Sequence, residues 1–222
     1  MEPDKLFPRL VTTLRLLLLF GALLQFVQGR YLGGFATLGI LTVTWVPIFF
    51  LGSRFQVRIP PEFELLAVVF IYGSLFLGEV HGYYVRFWWW DLVLHAGSGF
   101  LSGIFGFLLV YVLNKNDRID MHLRPGFVAF FAFLFAVGLG TLWEIFEFAM
   151  DQLFGLNMQK SGLMDTMWDL IVDTAAALCM ALLGYGYMRK AGEESFLERW
   201  IQRFIAANPR LFQKRAPRSG GA

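Results

Sequence analysis

Six stretches of this chain are each long and apolar enough to cross a lipid bilayer as a helix, and short polar, glycine- or proline-marked breaks separate them. The hydrocarbon core takes about 20 mostly apolar residues per crossing. The windows run roughly over residues 10–27, 31–51, 63–80, 91–113, 127–153 and 166–188. Backbone amides in lipid have no water to bond, so each window must satisfy its own hydrogen bonds, as a helix does. Composition points the same way: 57% of the 222 residues are hydrophobic and 16% are charged, whereas about a quarter of a soluble domain is charged. The 25 Phe and 7 Trp exceed what one soluble core of this length would use. The expected fold is an all-α polytopic membrane bundle of about six transmembrane helices over residues 1–190. A separate C-terminal segment, 191–222, follows it.

Punctuation supports these breaks. Pro60 and Pro61 precede the third window and Pro125 the fifth, as proline at a helix start should. Pro47 falls inside the second window and predicts a kink there. The fourth window reads HAGSGFLSGIFG, in which Gly99 and Gly103 form a GxxxG with Ser98, Ser102 and Gly106 nearby. Small residues let helix backbones approach closely in lipid, so this helix is expected at the centre of the bundle. Lys5 and Arg9 precede the first window and no small-x-small cleavage site follows it, which predicts a retained span. Cys179 is the single cysteine, so an intrachain disulfide and a thiolate cluster are both excluded. Its apolar surroundings predict a small buried residue.

Charge placement sets the expected orientation. With six spans, one side carries both termini and the even-numbered loops. That side holds 15 of the 19 Lys and Arg residues, and the other holds only Arg30, Arg86 and Lys160; Arg15 lies within the first span. The positive-inside rule then puts both termini in the cytoplasm. In the tail, Phe196, Leu197, Trp200, Ile201, Phe204 and Ile205 recur at helical spacing, with Arg199 and Arg203 off that stripe. This pattern predicts a cytoplasmic amphipathic helix, packed on the membrane surface or on protein, followed by a basic, partly disordered end. Membrane lipids are the expected partners. A formal charge of +2 gives no footing for nucleic acid.

Acidic residues gather on the opposite side. Glu79, Asp91, Glu144, Glu147, Asp151, Asp165, Asp169 and Asp173 are eight of the 17 acids, and all fall toward the outer ends of spans three to six, together with His81 and His95. His122 falls in an inner loop and reads as solvated. At about 100° per residue, Asp91 and His95 share a face about 40° wide. Glu144, Glu147 and Asp151 fall within about 60°, and Asp165, Asp169 and Asp173 within about 80°. Such stripes should face one another, since a charge turned to lipid costs roughly 2.5–3.5 kcal/mol. Acids at a helix start suit the dipole, which accounts for Asp91 and Asp165. It does not account for Glu144, Glu147, Asp151 or Asp173, which therefore need a cation, a proton or a strong donor.

Carboxylates crowded with one imidazole fit a divalent metal: Mg, Mn, Ca or Zn. The candidate ligands are Asp91, His95, Glu144, Glu147, Asp151, Asp165, Asp169 and Asp173, with His95, Glu144 and Asp169 as candidate catalytic groups. Trp88, Trp89 and Trp90 read as an interfacial aromatic belt or as a wall for an apolar substrate, whose phosphate Arg86 or Lys160 would hold.

The stretches WWWDLVLHAGSGFLSGIFGF, GTLWEIFEFAMDQLFG and SGLMDTMWDLIVDTAAAL resemble the YjdF-like bacterial inner-membrane proteins, from about the second span to the sixth. That resemblance implies a location and a fold rather than a reaction. A looser one is to the VanZ-like membrane proteins linked to glycopeptide-antibiotic resistance, with Asp91, His95, Glu144 and Asp169 at the matching positions. Glu147 stands where that family tends to have Gln and Asp173 where it tends to have Asn, and no equivalent of its Arg lies between the last two spans. Three functions fit these patterns. The leading expectation is metal-dependent chemistry on a lipid or lipid-linked envelope substrate. The others are a non-catalytic membrane factor recognising a lipid or partner, and a proton- or cation-coupled transporter.

Overall fold

The computed structural model describes residues 3–114, 123–189 and 196–209. His122, the inner-loop bases Lys115 and Arg118, and the tail beyond residue 209 lie outside the described residues. All regular structure among the described residues is helical. In chain order the helices are α1 (Pro3–Val27), α2 (Tyr31–Val43), α3 (Val46–Phe55), α4 (Pro61–Ile71), α5 (Tyr83–Arg86), α6 (Trp90–Asn114), α7 (Pro125–Phe154), α8 (Leu163–Arg189) and α9 (Phe196–Ala207). A π-helical segment, Tyr72–Val80, continues α4. Five stretches are long and apolar enough to cross a membrane: Lys5–Val27, Pro61–Val80, Trp90–Tyr111, Pro125–Phe154 and Leu163–Arg189. Large apolar side chains such as Phe20, Leu23, Phe130 and Leu182 point outward from them, the surface that lipid would cover.

The second apolar window differs from a single kinked span. It divides at Thr44–Trp45 into α2 and α3. Proline has no amide hydrogen, and position 47 falls in the first turn of α3, where none is required.

By its contacts the chain forms two compact units, Met1–Leu94 and His95–Ala222. In the first, α1 packs against α2 and α4, around Leu18, Ile40 and Phe76. Arg15, the one basic residue inside the first span, serves the break between α2 and α3. Its guanidinium donates to the Thr44 carbonyl oxygen (2.9 Å), to Thr44 Oγ1 (3.1 Å) and to Glu64 Oε1 (2.8 Å). It also lies over the Trp45 ring, 3.8 Å from its centroid. An arginine here is therefore the partner of a broken helix and of a carboxylate, which offsets its transfer from water.

In the second unit, α7 and α8 form an antiparallel hairpin. Pro125 opens α7, and Gly155, in the left-handed region (φ 65°), closes it. Gly99 and Gly103 of α6 meet α8 directly. A Cβ on Gly99 would stand 2.8 Å from the Asp173 carbonyl oxygen, and one on Gly103 would stand 2.9 Å from Met180 Cβ. The GxxxG is thus a close backbone approach, as small residues permit in lipid. Cys179 departs from the expectation of burial: it is exposed, on the outward face of α8.

Gly97 tests this reading, because a Cβ there meets nothing within 4 Å. Gly97→Ala should leave the melting temperature in detergent unchanged or raise it, given the helix preference for Ala of about 1 kcal/mol. Gly99→Ala has backbone in its way and should lose about 1–3 kcal/mol net. Equal effects would show that α6 does not rest on α8 at Gly99.

Candidate functional site

The second unit brings four of the expected residues together, one from α6, one from α7 and two from α8. Their positions along the helices set the depth. His95 lies about 8 Å into α6, Asp169 about 9 Å into α8, Asp173 about 15 Å into α8, and Glu144 about 15 Å before the end of α7. The i, i+4 spacing of Asp169 and Asp173 puts both on one face of α8. All four are buried: His95 is 7% exposed, Glu144 3%, and Asp169 and Asp173 2% each.

His95 is the shared neighbour. Its Nδ1 lies 3.2 Å from Asp173 Oδ2. Its Nε2 faces two other carboxylates, 3.8 Å from Glu144 Oε1 and 3.7 Å from Asp169 Oδ2. One ligand atom from each of His95, Glu144 and Asp169 falls within 4.8 Å of the others. Separations of 3.7–3.8 Å are too long for hydrogen bonds. Neither buried oxygen of Glu144 meets a hydrogen-bond partner among the described residues. The Thr166 hydroxyl lies near it, outside hydrogen-bond geometry, and accepts a bond of 2.6 Å from Gln159 Nε2.

Asp173 is held from several sides. Ser98 Oγ lies 3.2 Å from Asp173 Oδ1 and 2.9 Å from the His95 carbonyl oxygen, so its one proton serves either acceptor. Gly140 of α7 makes room: a Cβ there would stand 2.5 Å from Asp173 Oδ2. Sequence reasoning did not single out Gly140. The available signal was its place four residues before Glu144, on the same face of α7.

Asp165 also brings a carboxylate oxygen within 4.8 Å of Asp169, while most of its expected companions are placed elsewhere. Asp151 accepts from the Met158 and Gln159 amides, at 2.7 and 2.9 Å, and so ties the α7–α8 loop to the end of α7. Asp165 accepts from the Lys160 amide at 3.0 Å and closes the same loop from α8. Glu147 Oε1 accepts from the Trp143 indole at 2.9 Å, one turn back on α7. The Lys160 side chain is exposed on that loop.

In the first unit, Asp91 stands in the first turn of α6, one turn before His95. Glu79, His81 and Arg86 are exposed. His81 packs on Phe76, with ring centroids 4.4 Å apart, and its Nδ1 lies 3.0 Å from the Phe76 carbonyl oxygen. Trp90 donates its indole N–H to the Gly73 carbonyl at 3.2 Å and stacks edge-on with Tyr83. Trp89 packs against Trp90, while Trp88 is 82% exposed.

A helical, membrane-spanning scaffold with a buried histidine–carboxylate cluster is the class of protein that these features define. The chain belongs to the family described as "Predicted membrane protein (DUF2238)", which matches residues 10–190. A protein of Thermotoga maritima described as "Uncharacterized protein" is 32% identical over 128 residues, 58% of this chain and 64% of that protein. The match thus spans less than two thirds of the relative's length. No solved structure matches significantly.

The contact between Gly140 and Asp173 can be isolated by a double-mutant cycle. Gly140→Ala should cost about 1–3 kcal/mol in otherwise wild-type protein, as overpacking does. In an Asp173→Ala background, where only the Cβ at 3.3 Å remains in the way, most of that cost should disappear. The same penalty in both backgrounds would show that a Cβ at 140 strikes something other than this carboxylate.

Proposed function

We propose that this protein is a metal-dependent membrane enzyme, in which His95, Glu144 and Asp169 hold a divalent ion that acts on a lipid or lipid-linked envelope substrate. The observation that carries this reading is Glu144. A carboxylate buried without hydrogen bonds is costly in a low-dielectric interior, yet both of its oxygens lack a partner in hydrogen-bond geometry among the described residues, and one faces His95 Nε2. Two carboxylates and a neutral imidazole bring a doubly charged ion to zero formal charge, which suits a site at membrane depth. Oxygens 3.7 and 3.8 Å from Nε2, with all three ligand atoms within 4.8 Å of one another, leave room for one ion between them. Three protein ligands leave a position for water or a substrate oxygen. An ion held there supplies Lewis acidity and lowers the pKa of a bound water.

The depth of the cluster supports a substrate reached from the lipid phase. Lys160, on the α7–α8 loop of the same unit, is the candidate to hold its phosphate. Glu147 and Asp151 are assigned supporting rather than ligating roles, since their bonds tie up an indole and loop amides, while Asp91 and Asp165 stay candidate ligands. The three motif stretches favour placing the chain with the YjdF-like proteins. The VanZ-like resemblance carries no part of the proposal.

Metal analysis tests the reading. Wild-type protein purified without chelator should carry close to one divalent ion, and chelation should lower its melting temperature. Glu144→Gln should lose the ion and the chelator effect together. Metal-free wild type whose stability is indifferent to chelator and to added ions would defeat the proposal and favour a protonated carboxylate pair.

If α2 and α3 together make a sixth crossing beside the five long helices, the excess of Lys and Arg supports both termini and α9 on the cytoplasmic side, in the bacterial cytoplasmic membrane that the YjdF-like resemblance implies. A reporter fused after residue 222 and active only in the cytoplasm should be active. Activity of an export-dependent reporter at that position would invert the topology.

A further inference from the structure

We infer that Asp173 is a positioning residue that sets His95 with Nε2 unprotonated, and that the centre therefore takes an imidazole-accepting ion, Zn(II), in preference to Mn(II), Mg(II) or Ca(II). The inference rests on the metal reading above and sharpens it to one ion.

The argument starts from the two ring nitrogens. A neutral imidazole carries its proton on one nitrogen and a lone pair on the other. Nδ1 has a carboxylate oxygen at 3.2 Å, whereas Nε2 has two carboxylate oxygens at 3.7 and 3.8 Å. The short contact favours Nδ1–H donating to Asp173. On a neutral ring the Nε2 lone pair then points between Glu144 and Asp169, the direction in which a shared cation would lie.

A histidine ligand whose other nitrogen donates to a carboxylate has its ring orientation fixed and its basicity raised. Asp173 suits that task because it is itself immobilised. Ser98 Oγ is 3.2 Å from its other oxygen, Gly140 of α7 closes over it with no side chain, and the α8 backbone at Asp173 abuts Gly99. Rotation of this carboxylate away from His95 would have to displace α6 or α7.

Ion preference follows from the donor set. Mg(II) demands near-octahedral oxygen coordination and keeps several waters, and Ca(II) takes six to eight oxygens. The three ligating residues offer one nitrogen and at most four oxygens, and each of these residues is under 10% exposed. Imidazole with carboxylates in a three-ligand frame is the chemistry of Zn(II).

The test uses full-length protein in detergent, stripped with chelator and then dialysed against ZnCl2, MnCl2, MgCl2 or CaCl2, with bound metal measured directly. Zn(II) should bind one per chain, at least tenfold tighter than Mn(II), Mg(II) or Ca(II). Co(II) should give a visible absorption band that His95→Gln abolishes. Asp173→Asn should weaken Zn(II) binding by roughly 10–100-fold, as loss of such a partner does, and should shift the Co(II) band without changing stoichiometry.

Wild-type selectivity needs no variant, so the test stands even if Asp173→Asn fails to fold. Mn(II), Mg(II) or Ca(II) binding as tightly as Zn(II), or a folded Asp173→Asn with unchanged Zn(II) affinity and Co(II) band, overturns this inference while leaving a metal site in place. Binding of no ion at all removes the metal reading as well.

Discussion

A carboxylate about three turns inside a membrane helix persists only where other groups replace its lost water. Asp173 meets that condition within the second unit. The His95 imidazole contacts one oxygen, the Ser98 hydroxyl approaches the other, and α7 presents a glycine where any side chain would collide. Close approach of the helices is therefore a requirement of the polar group as well as of packing. The glycines of α6 and α7 bring three helices near enough for one side chain to be reached from both neighbours. His95, once oriented by Asp173, turns its remaining nitrogen toward Glu144 and Asp169, and this juxtaposition is the chemically distinctive part of the molecule.

The same demand explains why so many acids gather in one region without forming one site. Asp151 and Asp165 accept from backbone amides of the α7–α8 loop. Together with the left-handed glycines at 155 and 162, they shape the turn that sets α8 beside α7. Glu147 takes the indole of Trp143. In the first unit Arg15 does comparable work with opposite charge, bonding the carbonyl at the break between α2 and α3 and also Glu64. Each of these groups finds its partner in local backbone or in a nearby side chain. Glu144 differs, because neither of its oxygens has a partner in hydrogen-bond geometry among the described residues and Oε1 faces His95 Nε2.

Much of this was legible in the sequence, because hydropathy and periodicity are local properties. Residues 63–80, 91–113, 127–153 and 166–188 correspond within a few residues to helical segments, since a lipid-embedded backbone has few alternatives. The stripes that include His95, Glu144, Asp169 and Asp173 follow from helical spacing alone, and so does the close approach at Gly99 and Gly103. Less legible was the second window, where a proline signalled a disturbance but not a division into two helices. Cys179 also escaped, because an apolar sequence neighbourhood does not say whether a residue faces protein or lipid.

By itself, then, the sequence determined the helices, their apolar surfaces and the set of acids from which a site can be drawn. Only the tertiary structure decided which acids converge. That depends on the rotation of each helix about its axis and on which loop amides return to meet a carboxylate, and neither is encoded in spacing along one helix. Glu144 and Glu147 lie on one stripe of α7, yet one turns toward His95 and the other toward Trp143. A separation of about 60° around a helix is enough to divide them.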